Sequence, residues 1–159
     1  MSAKEWPGEG DPMPDIAMET PDGGGVRPSD FKGRKAVLFF YPKDNTPGCT
    51  TEARDFSGMK EAFEEAGTAI LGISKDSPAK HRNFIAKHGL TIDLATDRQD
   101  DGLSDALGIW TRKAMYGKMF MGMVRTTYLL DTDGVIRKVW RKVKVKEHAA
   151  EVLAAARSL

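Results

Sequence analysis

Cys49 is the single cysteine of the 159-residue chain, and its neighbours define what it can do. It lies in the stretch YPKDNTPGCTTE, residues 41–52. The apolar run AVLFFY (36–41) enters this stretch, and an amphipathic run from Thr50 to Gly67 leaves it. That layout is strand, tight turn, helix. Thr46 is a suitable N-cap, and Pro47 suits the first helical position because its missing N–H costs nothing there. Cys49 then falls in the first turn, near amide groups that lack helical partners and near the Thr46 hydroxyl. Both favour a thiolate. Capping by Asp44 or Asn45 would move Cys49 one or two positions inward.

The turn alone falls short of a fully activated thiol. Lowering a cysteine pKa by two units takes ~2.7 kcal/mol. A helix N-terminus gives ~0.3–1 kcal/mol, and up to ~2 when partly buried. A cation is needed to make up the difference. Lys43 is nearest in sequence, but a corner of this kind is completed by residues from distant loops, and spacing does not select one. Cys49 could instead be a small buried hydrophobe, although its Pro, Gly and polar neighbours argue for reactivity. A Cys–His hydrolase would need His81, His88 or His148 to fold back onto it. One cysteine and three scattered histidines lack zinc-ligand spacing.

The elements that must position this corner are readable from pattern. The buried strands are 36–41 and TAILGIS (68–74), each a continuous apolar run. Asp15 to Thr20 is a short strand candidate, and Pro21 to Gly25 is a loop. In the helix after Cys49, Ala53, Phe56, Met59, Phe63 and Ala66 share one face, and Gly67 closes it. A second helix runs from Pro78 to His88, stopped by Gly89. A strand near Leu94 and a helix over 101–107 follow. TTYLL (126–130), the turn DTDG (131–134) and residues 135–140 form a hairpin. Residues 147–158 form a last helix, with His148 at its start. This alternation specifies an α/β fold, a central mixed β-sheet flanked by helices in one domain over 1–159, with a thioredoxin-like arrangement. Residues 1–14 read as a loosely ordered tail. Met115 to Met123 holds four methionines, read chiefly as loop and core packing and alternatively as an apolar lip for an alkyl hydroperoxide. Val143 and Val145 alternate with lysines as in a half-buried strand. Trp110 and Trp140 read as packing residues.

Composition sets further bounds. With 24 basic and 23 acidic residues the net charge is +1, so no nucleic-acid partner is expected. No apolar run reaches the ~20 residues of a membrane span, and no signal-peptide core precedes the strands. A lone cysteine excludes an internal disulfide. A cytoplasmic protein is expected.

The segment FFYPKDNTPGCTTEARDF resembles the active-site segment of peroxiredoxins, most closely the bacterioferritin-comigratory or Q type. The family pattern of Pro, three residues, Thr, two residues, Cys is met by Pro42, Thr46 and Cys49. Downstream, YGKMFMGMVRTTYLLDTDGVI resembles the segment carrying the family's essential arginine, here Arg125. The resemblance implies that Cys49 is the peroxidatic nucleophile and that Arg125 is the missing cation. It implies that Thr46 hydrogen-bonds sulfur and peroxide and that Pro42 shields the site. Glu52 is the acid that would position the arginine, although an exposed first-turn acid is an alternative. No metal, haem or flavin is implied. Many members carry a resolving cysteine five residues after the first; Arg54 stands there. A 1-Cys enzyme is therefore expected, dependent on an external thiol: a thioredoxin or glutaredoxin system, a small thiol, or Cys49 of a second chain. A monomer is expected, with dimers occurring among related proteins. A peroxide sensor whose sulfenate signals without turnover is the competing reading.

Overall fold

Six residues, KAVLFF, form an inner strand of the main sheet. In the computed structural model, which describes residues 6–159, they are β3 (Lys35–Phe40). Because side chains alternate across a strand, Val37 and Phe39 enter one core and Ala36, Leu38 and Phe40 the other. A strand covered on both faces has no reason to carry polar residues, which is why the run is continuous.

The chain order is β1 (Met18–Glu19), β2 (Gly25–Val26), a 3-10 turn at Pro28–Phe31, β3, α1 (Pro47–Gly58), α2 (Lys60–Glu65), β4 (Thr68–Ser74), α3 (Pro78–His88), β5 (Asp93–Thr96), α4 (Leu103–Ala106), β6 (Trp110–Met115), β7 (Lys118–Met123), β8 (Thr126–Leu130), β9 (Ile136–Arg141) and α5 (His148–Ser158). The main sheet has the order β2-β1-β5-β4-β3-β8-β9. β3, β4 and β5 are parallel, while β8 runs antiparallel beside β3 and β9 antiparallel beside β8. This is the mixed sheet, flanked by helices, of a thioredoxin-like fold. Phe56 and Phe63 from α1 and α2, Phe84 from α3, and Val152 and Leu153 from α5 fill the core on one side. Leu103, Ile109, Met123 and Tyr128 fill the other.

Four expectations from pattern need correction. The helix after Cys49 is two helices, broken at Met59, whose N–H turns back to Phe56. The Met115–Met123 stretch, expected chiefly as loop and core packing, falls largely within a second, two-stranded sheet, β6 (Trp110–Met115) paired with β7 (Lys118–Met123). Met123 is 1% exposed and packs in the core, whereas Met119 and Met121 are exposed and Tyr116 at the turn is 96% exposed. Residues 142–146 form no strand, although Val143 is half-buried and its N–H donates to Arg125 O. The N-terminal segment is tied down. Gly10 and Met13 donate to the Ile136 and Gly134 carbonyls, Ile136 donates back to Asp11 O, and Met13 is buried. Residues 1–5 of the expected tail lie outside the described residues. No helix among the described residues is long and apolar enough to cross a membrane.

Candidate active site

The chain leaves β3 at Tyr41 and must turn back to begin α1 at Pro47. Three side-chain links clip that turn to β4 and α3. Tyr41 donates from its hydroxyl to Asp44 Oδ1 at 2.6 Å, and Asp44 Oδ2 lies 2.7 Å from His81 Nδ1. His81 also meets Ala95 O through Nε2 at 3.0 Å. The Asp44 N–H donates to Asp76 Oδ2, which accepts from Ser74 as well. Asn45 takes the left-handed backbone conformation (φ 62°), which Asn tolerates better than most residues, and its Oδ1 meets His88 Nε2 at 3.0 Å. Sequence reasoning weighed His81 and His88 as zinc ligands and as partners for the cysteine. Their hydrogen bonds instead hold the loop that precedes it. His148 meets Thr127, so none of the three imidazoles is hydrogen-bonded to Cys49.

Thr46 is the N-cap of α1 and Pro47 its first residue. Cys49 follows in the first turn and is 1% exposed. Among the described residues the Gly48 and Cys49 amides have no backbone acceptor, as at the start of a helix. The Thr46 hydroxyl corrects an expectation. It donates to Lys43 O at 2.9 Å and makes no hydrogen bond to the Cys49 sulfur. A threonine hydroxyl at a turn readily takes a nearby backbone carbonyl in this way. Pro42 is exposed on the loop, as is Lys43, which makes no ion pair among the described residues. Arg54 is exposed on the outer face of α1.

The cation at the sulfur comes from seventy-six residues away. Arg125 stands between β7 and β8, with its carbonyl held by the Val143 N–H. Its Nη2 donates to Cys49 Sγ at 3.2 Å and its Nη1 to Glu52 Oε1 at 2.7 Å. Cys49 and Glu52 are three apart on α1 and so share a face, and the planar guanidinium spans them. Gly48 leaves room for this approach: a Cβ there would sit 3.3 Å from Arg125 Nη2, and the guanidinium would have to give by a few tenths of an ångström. Pattern reading took this glycine only as one of the neighbours that argue for a reactive cysteine.

The charges in this cluster are strongly coupled. Glu52 is 1% exposed, and among the described residues its Oε2 has no hydrogen-bond partner. Burial lifts its pKa to about 7 against the opposing charge and hydrogen bond of Arg125. For Arg125, burial pulls down, but Glu52 and Cys49 push up, and the net direction is upward. The arginine is therefore a permanent cation with two acids on one fork.

His148 lies behind this cluster, 3% exposed, with its Nε2 2.8 Å from Thr127 Oγ1. Burial, and then the charge of Arg125, lower its pKa from 6.5 to about 4. Between those two values the unfolded chain binds more protons here than the folded protein does. The His148 contribution thus costs stability as pH falls from about 6.5 to about 4. Glu52 has the opposite sign: its folded form binds more protons between 4.5 and about 7, and that stabilisation is lost as pH rises through the window. Replacing His148 by Gln removes only the first slope. The unfolding free energy of the wild type minus that of His148→Gln should fall steadily from pH 7 to pH 4 in urea titrations. A pH-independent difference would contradict the assignment.

A thiol in the first turn of a helix, bonded to a partly buried guanidinium on a thioredoxin-like sheet, defines the class of thiol-dependent peroxidases. The AhpC/TSA family model matches residues 9–139. The chain is 46% identical over 144 residues to peroxiredoxin Bcp of Bacillus subtilis strain 168, covering 91% of each. The peroxiredoxin Q structure from Xanthomonas campestris superposes with a TM-score of 0.84 at 42% identity, covering 90% of each chain. A PrxQ structure from Xylella fastidiosa gives 0.90 at 33% identity, covering 98% of each. The chain belongs to the AhpC/TSA family and, within it, to the peroxiredoxins of the Bcp and Q type, which are thiol-dependent peroxidases.

Proposed function

We propose that this protein reduces hydrogen peroxide and organic hydroperoxides by a 1-Cys cycle centred on Cys49. The observation that carries this reading is the 3.2 Å bond from Arg125 Nη2 to Cys49 Sγ. The Cys49 thiolate attacks the distal oxygen of the hydroperoxide. An S–O bond forms, the O–O bond breaks, sulfur is oxidised, and the alkoxide or hydroxide leaves and takes a proton. Arg125 stabilises the charge on the thiolate and on the departing oxygen. Glu52 holds the guanidinium in register through its other nitrogen. Thr46 already donates to Lys43 O, so its lone pairs are available to accept the hydroperoxide O–H. Pro42 borders the approach without adding a competing N–H.

The product on the enzyme is a sulfenic acid. With no second cysteine in the chain, an external thiol must displace water from it, forming a mixed disulfide that a further thiol reduces. Since Cys49 is 1% exposed, a protein thiol reaches it only if the first turn of α1 opens. A cytoplasmic thioredoxin or glutaredoxin system, or a small thiol, suits this role.

Intact-mass spectrometry during a peroxide titration tests the cycle. Equimolar peroxide should add one oxygen. A small thiol should then give a transient mixed disulfide and return the starting mass. Excess peroxide without thiol should drive the protein to the sulfinic state. A stable chain-to-chain disulfide would move the resolving thiol onto a second Cys49. Stoichiometric oxidation that no thiol reverses would favour a sensor.

A further inference from the structure

The Arg125 fork leaves an electrostatic deficit. One guanidinium faces two acids, Cys49 and Glu52, at 3.2 and 2.7 Å. If both ionise, the cluster carries one net negative charge in a buried place, where such an imbalance is costly. A second cation would make it neutral.

Lys113 is in position to be that cation. It lies on β6 opposite Phe120 of β7, on the hairpin face that also carries Thr111 and Gly122. Its stem crosses directly over Gly122. A Cβ at that glycine would come within 2.9 Å of Lys113 Cδ and 3.2 Å of its Cε. The ammonium then donates to Met123 O at 2.6 Å, two residues before Arg125. It is partly buried, and among the described residues no carboxylate forms an ion pair with it. Burial and then the repulsion of Arg125 lower its pKa, while the charge of Cys49 acts in the other direction. The ammonium thus sits on the backbone two residues before Arg125, where the charges of Arg125 and Cys49 act on it in opposite directions.

We propose that Lys113, with its ammonium held on Met123 O just before Arg125, is a positioning residue of the active site that supplies a second positive charge favouring the Cys49 thiolate. The inference rests on the reading of Cys49 as an activated nucleophile. The other ionisable groups of the neighbourhood do not supply this charge. His148 from α5 is neutral above about pH 4, Asp55 from α1 adds a negative charge that acts on Glu52, and Lys43 is exposed on the loop.

The pH dependence of Cys49 alkylation by iodoacetamide tests it without using turnover. In Lys113→Met, whose side chain keeps the stem over Gly122, the midpoint should rise by about 0.5–1 pH unit. Alkylation below the midpoint should slow about three- to tenfold. Lys113→Arg keeps the charge and should hold the midpoint within about 0.2 units. Gly122→Ala pushes the stem aside without deleting the charge and should raise the midpoint by a smaller amount. An unchanged midpoint in folded Lys113→Met, or an equal rise in Lys113→Arg, overturns the proposal. If Lys113→Met does not fold, an unchanged midpoint in Gly122→Ala overturns it. A wild-type midpoint at the ordinary thiol value of about 8.5 would instead sink the activated-cysteine reading. A low wild-type midpoint that Lys113→Met leaves in place sinks only the role of Lys113.

Discussion

The Cys49→Ser protein should consume no hydroperoxide above the thiol-only background, a loss of more than about 10³-fold. A serine hydroxyl is the same shape less the larger sulfur, and it can still accept from Arg125 Nη2, so the first turn of α1 should stay in place. It cannot ionise near neutral pH and so offers no nucleophile to the O–O bond. The test is unusually clean because no other cysteine exists in the chain to take over or to form a misleading disulfide. Peroxide consumption with a coupled thiol system, alongside circular dichroism and thermal unfolding, separates lost chemistry from lost fold. A folded Cys49→Ser protein that still turns over would remove Cys49 from the mechanism.

Much of the fold was legible because its boundaries are written in residues with one physical meaning. Pro78 opens α3, and Gly89 closes it in the left-handed conformation. Thr46 and Pro47 open α1. The run from Thr68 to Ser74 is β4 residue for residue. The β6–β7 hairpin was not legible, because both of its faces carry exposed side chains and no apolar alternation marks a buried side. Val143 and Val145 have the alternation of a strand but no neighbouring strand to pair with, and a pattern in one segment cannot report that. The tail was misread for the converse reason. Its polar, Pro- and Gly-rich composition gives no sign of the backbone bonds that Gly10, Asp11 and Met13 make with residues 134–136.

The site divides along the same line. A strand, a capping threonine and a proline put Cys49 in a first helical turn on local grounds alone. The Arg125 guanidinium reaches the sulfur only after β3 and β8 have paired, so spacing could not single it out, and family resemblance had to supply it. Gly48 and Gly122 are harder still. Each matters for the atom of a distant side chain that passes over it, Arg125 Nη2 in one case and the Lys113 stem in the other. The signal is the absence of a side chain, which acquires meaning only once the partner is in place.

Arg125→Met should lower kcat/KM for hydroperoxide by about 10²–10³-fold, the scale of removing one charged donor from a developing anion. Two effects combine. The thiolate loses its bonded cation, and the leaving oxygen loses its donor. Arg125→Lys should lie between the two proteins, because an ammonium keeps the charge but cannot hold Glu52 and Cys49 on two nitrogens of one plane. Stability should respond less than the rate. Breaking a buried ion pair commonly costs about 3–5 kcal/mol because a charge is left behind. Here the partner already sits with a pKa of about 7 and is kept that low only by the arginine. Once Arg125 is gone, burial drives Glu52 to its neutral form, and the stranded charge disappears with it. Arg125→Met should therefore unfold with a loss smaller than that range near pH 7 and take up a proton at Glu52 that the wild type partly lacks. Stopped-flow peroxide kinetics and urea unfolding at pH 6 and 8 check both halves. A rate within about fivefold of wild type would remove Arg125 from the chemistry, and a loss of the full 3–5 kcal/mol at both pH values would show that Glu52 stays charged without it.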